Sequence, residues 1–186
     1  MQRSTERILT THAGSLPRPD DLRRLLTAQD TGRPYDREAF ARRVRSAVAE
    51  VVQQQIASGI DIINDGEEAK YSFSTYARER LSGFEERLPT PEERPAMISG
   101  RDMPEFSEYF ASRGGFGGAG ANARQVFCTG PLTYRGHAAV HADLENFTAA
   151  LAGVQVAETF LPAIAPGTIE HWMRNRYYPS DEAYLY

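Results

Sequence analysis

The chain has 186 residues, 41% of them hydrophobic and 25% charged, with a formal net charge of −4. That length holds one ordinary domain with a core of useful size, and the acidic balance argues against nucleic acid as a partner, since phosphate binding wants a basic face. A single cysteine, Cys128, excludes an internal disulfide and fits a reducing compartment. No stretch fits a membrane span, and Met1 to Thr11 lacks the apolar run of a signal peptide, so the expected location is the cytoplasm, away from membranes.

In chain order, Ile8 to His12 reads as a short strand, broken by the glycine and prolines of Ala13 to Pro19. Asp20 or Asp21 caps a short helix through Leu26. Asp36 starts the clearest helix: Phe40, Val44, Val48, Val51, Val52, Gln55 and Ile56 recur at steps of three and four. Gly59 suits the left-handed position after its end. Ile60 to Asn64 reads as a buried strand, with Asp65-Gly66-Glu67 as the turn behind it. Tyr76 to Phe84 reads as helical.

Residues 89–122 form an irregular insertion rich in proline and glycine, with a short helix near Glu105 to Phe110. Val126 to Thr129 is the third strand, stopped by Gly130-Pro131. Asp143 reads as the cap of a helix that puts Leu144, Phe147 and Leu151 on one face. Val156 to Leu161 is the fourth strand, and Thr168 to Arg176 reads as helical. Ser180 caps a last short helix beginning at Asp181. Strands alternating with helices predict a parallel sheet with covered faces. A (β/α)8 barrel takes roughly 250 residues, so this chain supplies about half of one.

Chemistry is expected where strands end. Thr10 to Arg18 follows the first strand: Gly14 lets a ligand approach the backbone, and Ser15 offers a hydroxyl and an amide. His12 can bind, titrate or ligate metal, and Arg18 can fork onto a carboxylate. The bland alternative is a turn with one satisfied histidine. Asn64 to Glu68 offers carboxylates for an amine, a metal or acid–base work, against a plain solvated turn. Cys128, within a strand, reads as packed rather than reactive. Gly115 to Gly120 spells G-x-G-x-x-G, but a strand follows where one should precede, so a loop is expected rather than a dinucleotide site. His137 and His141 lack the glutamate of a zinc-binding helix, Ala138 standing there, and read as surface residues ahead of the Asp143 cap. His171, Trp172, Tyr177 and Tyr178 read as packing.

These pieces together resemble the methionine synthase II family, the cobalamin-independent methyltransferases. Thr10 to Arg18, Gly59 to Glu67, Thr129 to Tyr134 and Pro166 to Glu170 carry the resemblance in the family's order, and Tyr177 to Glu182 is similar to its short, single-barrel branch. The resemblance implies a (β/α)8 TIM barrel of which residues 1–186 are the N-terminal half, roughly four βα units. It implies methyl transfer from methyl-tetrahydrofolate to the thiol of homocysteine, or to another small-molecule thiol such as coenzyme M. By the same resemblance Gly14 and Ser15 contact the substrate's carboxylate and Glu67 its ammonium, with His12 and Arg18 in the same loop. No catalytic residue is assigned.

Zinc is implied for the complete fold, where it binds the substrate thiol as thiolate. The family's zinc ligands are a His-x-Cys pair, a glutamate and a later cysteine, all in the second half and absent from this chain. The expected partner is therefore a complementary C-terminal half, or a second copy covering a bare sheet edge. Three other readings stand beside this one. The chain is a non-catalytic amino-acid-binding half-barrel or remnant. It is a self-contained metalloenzyme using His12, Glu67 and Cys128. Or it is a decarboxylase-like barrel of the uroporphyrinogen type.

Overall fold

The computed structural model describes residues 3–93, 105–112 and 124–186. The composition is mixed α/β, arranged in two compact units: Met1–Leu81 with Tyr134–Ala165, and Ser82–Thr133 with Pro166–Tyr186. No helix among the described residues is long and apolar enough to cross a membrane.

The first unit opens with α1 (Asp20–Asp30), α2 (Arg37–Ala57), β1 (Ile62–Ile63) and α3 (Phe73–Arg80). Helix α2 begins where its cap predicts: the Asp36 carboxylate accepts from the amides of Glu38 and Ala39. It ends at Ser58, and Gly59 takes φ +75°, the left-handed position expected of it. The apolar stripe read from the sequence is the core. Val44, Val48 and Val52 of α2 pack with Leu22 and Leu26 of α1 and with Ile63, all buried. Arg43 ties the two helices by pairing with Asp21 and Glu50.

The second unit opens with β2 (Phe84–Arg87) and α4 (Ser107–Ser112), followed by β3 (Gln125–Cys128). The chain then returns to the first unit for α5 (His137–Ala150) and β4 (Glu158–Thr159), and ends in the second with α6 (Pro166–Trp172), β5 (Arg174–Asn175) and α7 (Asp181–Leu185). In the first unit β1 pairs in parallel with β4, Ile62 opposite Glu158, and Thr11 bridges to Ile62 on β1. In the second, β3 lies between β2 and β5. Phe127 of β3 is fully buried, with the Arg87 guanidinium 3.8 Å from its ring centre. Ser180 caps α7 as expected, accepting from the Ala183 amide.

Several expectations are corrected. The first strand shrinks to the single bridge at Thr11, and the second and fourth to two residues each. The helix read over Tyr76 to Phe84 starts at Phe73, because Ser72 accepts from the Thr75 amide as its cap. It stops at Leu81, and Phe84 opens β2. That strand runs antiparallel to β3, so the second unit's sheet is mixed rather than all parallel. The helix read over Thr168 to Arg176 gives way at Arg174, which pairs with Phe127 in β3.

Asp143 is no cap. Helix α5 starts at His137 and Asp143 lies inside it, its carboxylate taken by Tyr76 and Arg80. Leu144 is exposed, while Phe147 of the same expected face is buried. The short helix expected near Glu105 to Phe110 is present as α4. Most of the 89–122 insertion, including the Gly114 to Gly120 loop, lies outside the described residues.

Candidate functional site

The site is built in the first unit, from two loops that follow the paired segments at Thr11 and β1. Asn64, fully buried, ties these loops together. Its side chain donates to the His12 carbonyl at 2.7 Å and accepts from the Gly66 amide at 2.8 Å. Gln55 of α2 clamps Asn64 in turn, donating to its carbonyl and accepting from its amide. The Leu16 amide donates to the Gly66 carbonyl at 3.0 Å. Gly66 sits at φ +63° with its α-carbon facing Val51, where a β-carbon would stand 3.0 Å from a methyl group. Only glycine meets both demands.

This clamp brings Ser15, Arg18 and Glu67 together. The Ser15 hydroxyl donates to Glu67 Oε2 at 2.5 Å. Arg18 donates from one nitrogen to Ser15 Oγ at 3.2 Å and to the Glu67 carbonyl at 2.9 Å. Glu67 itself has φ +57°, a left-handed backbone that side chains avoid. The Asp65 carboxylate on its amide and Arg18 on its carbonyl hold it there. An outlier held by so many contacts marks a position where side-chain direction matters. Gly14 turns the first loop at φ +90°, with open space where a β-carbon would go. His12 contributes its carbonyl to the clamp, and its Nε2 is buried with no protein partner.

Four residues of this neighbourhood were not singled out in the sequence as site residues: Lys70, Tyr76, Arg80 and Asp143. Lys70 is the chain's only lysine and is buried. Its ammonium lies 3.9 Å from Glu67 Oε1, donates to the Pro162 carbonyl at 2.5 Å, and stands 4.8 Å from the centre of the Tyr76 ring. The Tyr76 hydroxyl donates to Asp143 Oδ2 at 3.2 Å, and Arg80 to the same oxygen at 2.8 Å. Spacing offered a partial signal. Lys70 follows Glu67 by three residues, and Arg80 follows Tyr76 by four on α3. Nothing local announced Asp143.

Burial sets the electrostatics. It pushes the Asp65 carboxyl above the ordinary range, with Lys70 pulling the other way. Burial likewise raises Asp143, against Arg80 and Tyr76. Glu68 is 1% exposed, neither oxygen has a protein partner, and burial pushes it up to about 7 despite the nearby Arg18 and Arg43. The fold therefore favours the neutral acid. Its contribution to stability is intact below the ordinary carboxylate range and is lost as pH rises toward 7. Glu68→Gln should stabilise the chain by about 2–3 kcal/mol near pH 8 and change little near pH 5. Urea unfolding at both pH values checks this, and an equal effect at the two would refute it.

The remaining sequence candidates lie elsewhere or pack. Cys128 belongs to the second unit, where it is buried, donates its thiol proton to the Gly130 carbonyl at 3.4 Å, and is raised by burial. Among the described residues no group of three or more His, Cys, Asp or Glu is arranged to hold a metal, which corrects the His12, Glu67 and Cys128 site. His137 and His141 lie exposed on α5 rather than ahead of a helix, with His137 edge-on to Tyr134. Tyr178 stacks on Tyr184, and its hydroxyl accepts from the Leu132 amide.

Residues 8–90 match the family model described as the catalytic domain of cobalamin-independent synthase. Two of the motifs that carried the resemblance, Thr10 to Arg18 and Gly59 to Glu67, fall inside that stretch. No curated protein sequence matches the chain. Among solved structures, the fold is similar to a B12-independent methionine synthase from Shewanella sp. W3-18-1 in complex with selenomethionine. The TM-score is 0.56 at 19% identity, covering 95% of this chain and 43% of that one. The chain thus spans less than half the length of that structure.

Proposed function

We propose that this chain is the amino-acid-binding half of a methyltransferase barrel of the cobalamin-independent methionine synthase kind. It would take homocysteine or a related thiol, with methyl-tetrahydrofolate as donor in the complete fold. One observation carries the reading: a hydroxyl, a guanidinium and a carboxylate from two successive loops, Ser15, Arg18 and Glu67, meet within hydrogen-bond distance. An α-amino acid presents the complement, an ammonium for Glu67 and a carboxylate for Arg18 and Ser15. The ammonium would take the place of the Ser15 hydroxyl at Glu67 Oε2, freeing that hydroxyl to donate to the ligand's carboxylate. Gly14 leaves the approach to the backbone open. The family match over residues 8–90 spans all five proposed binding residues: His12, Gly14, Ser15, Arg18 and Glu67.

The zinc that the resemblance implies does not fit the described residues, whose donors form no metal-holding group. No step is assigned to a metal on this chain. The reading therefore includes a partner that brings the rest of the barrel, a complementary C-terminal half or a second copy. Calorimetry of the purified chain with L-homocysteine and L-methionine tests the binding half of the proposal. Saturable heat at submillimolar concentration is the expected result, and none at millimolar ligand would sink it.

A further inference from the structure

We propose that Lys70 is a positioning residue for amine recognition, holding the Glu67 carboxylate in place so that it can select a ligand ammonium. The inference rests on the amino-acid-binding reading above and deepens it. Lys70 is 5% exposed, so its charge cannot be satisfied by bulk water. One donor goes to the Pro162 carbonyl at 2.5 Å, and the Tyr76 ring lies 4.8 Å away. These contacts anchor the ammonium on groups that carry no net charge. Its Coulomb field reaches the buried Asp65 and Asp143 carboxyls as well as Glu67, and among these Glu67 is the one paired with it directly, 3.9 Å off at Oε1.

The Glu67 carboxylate is thereby held at both ends. Lys70 faces Oε1 and the Ser15 hydroxyl is bonded to Oε2. The two ends differ in what a ligand can do to them. Ser15 is exposed and its hydroxyl is a neutral donor, easily exchanged for an ammonium. Lys70 is buried and anchored, so it stays. The arrangement assigns Oε2 to the ligand and Oε1 to the protein. A lysine with no anchor would compete with the ligand for the same carboxylate; this one is fixed by the Pro162 carbonyl. Lys70 touches no proposed ligand position, and its action runs through Glu67.

The test separates charge from hydrogen bonding and positioning from folding. L-Methionine and its desamino counterpart, 4-(methylthio)butanoate, are titrated by calorimetry into the wild-type chain, Lys70→Gln and Lys70→Arg. The readout is the ratio of the two affinities. Wild type should prefer L-methionine by about tenfold or more. Lys70→Gln keeps a donor for Pro162 but no charge, and its preference should fall to within about threefold, with butanoate affinity unchanged. Lys70→Arg keeps the charge and should keep the preference. A purely structural role would weaken both ligands alike and leave the ratio standing. An unchanged ratio in Lys70→Gln, or a collapsed ratio in a folded Lys70→Arg, would overturn the inference. If Lys70→Gln does not fold, Lys70→Arg alone decides. Failure of the wild type to bind either ligand would instead overturn the amino-acid-binding reading itself.

Discussion

Asp143→Ala should destabilise the chain by about 3–5 kcal/mol, the usual effect of stripping one partner from a buried ion pair. Both side chains are largely buried, Arg80 at 13% and Asp143 at 10% exposure. The carboxylate accepts from Arg80 and from the Tyr76 hydroxyl, and Tyr76 also lies under the Arg80 guanidinium, 4.2 Å from its ring centre. Removing the carboxylate leaves a guanidinium and a phenol with lost partners in a dry setting, and the guanidinium cannot shed its proton. Burial already pushes Asp143 upward, so the pair itself adds little net stability over an apolar substitute. The double change Arg80→Met with Asp143→Leu should therefore recover most of the loss. Urea unfolding of the three proteins checks both claims. A single substitution within about 1 kcal/mol of wild type would mean the pair is solvated and the argument wrong.

Glu67→Gln should lower the affinity for L-methionine by roughly thirtyfold or more, about 2 kcal/mol, because a ligand ammonium would lose its counter-charge in a partly buried site. The amide keeps the size of the side chain, and the backbone contacts from Asp65 and Arg18 do not depend on it. Affinity for 4-(methylthio)butanoate should hold steady, since that ligand has no ammonium. Calorimetry with both ligands reads the difference. Equal losses for the two would place Glu67 in the scaffold rather than in recognition.

The parts of this fold that were legible in the sequence are those decided within a few residues. Asp36 and Gly59 bound α2 because a side-chain cap and a left-handed glycine act locally. The stripe from Val44 to Val52 is the core because helical periodicity dictates which face is apolar. Ser15 and Glu67 were legible as strand-end polar residues, although their direct contact was not. What stayed hidden depends on residues far apart. Asp143 resembles a helix cap to a local reading, and only its contacts with Tyr76 and Arg80, more than sixty positions earlier, explain a carboxylate inside α5. Phe84 and Arg174 were read as helical, and both became strand because β3 offered them a partner. Lys70 carries no local signal of its role, since its meaning lies in contacts with Pro162 and Tyr76.

That solitary lysine has a practical corollary. With Lys70 only 5% exposed, the folded surface among the described residues presents no lysine amine. Amine-directed reagents would therefore find no lysine to couple to on that surface while the first unit stays folded. Labelling at Lys70 would in turn report the opening of the first unit, as a built-in clock of unfolding.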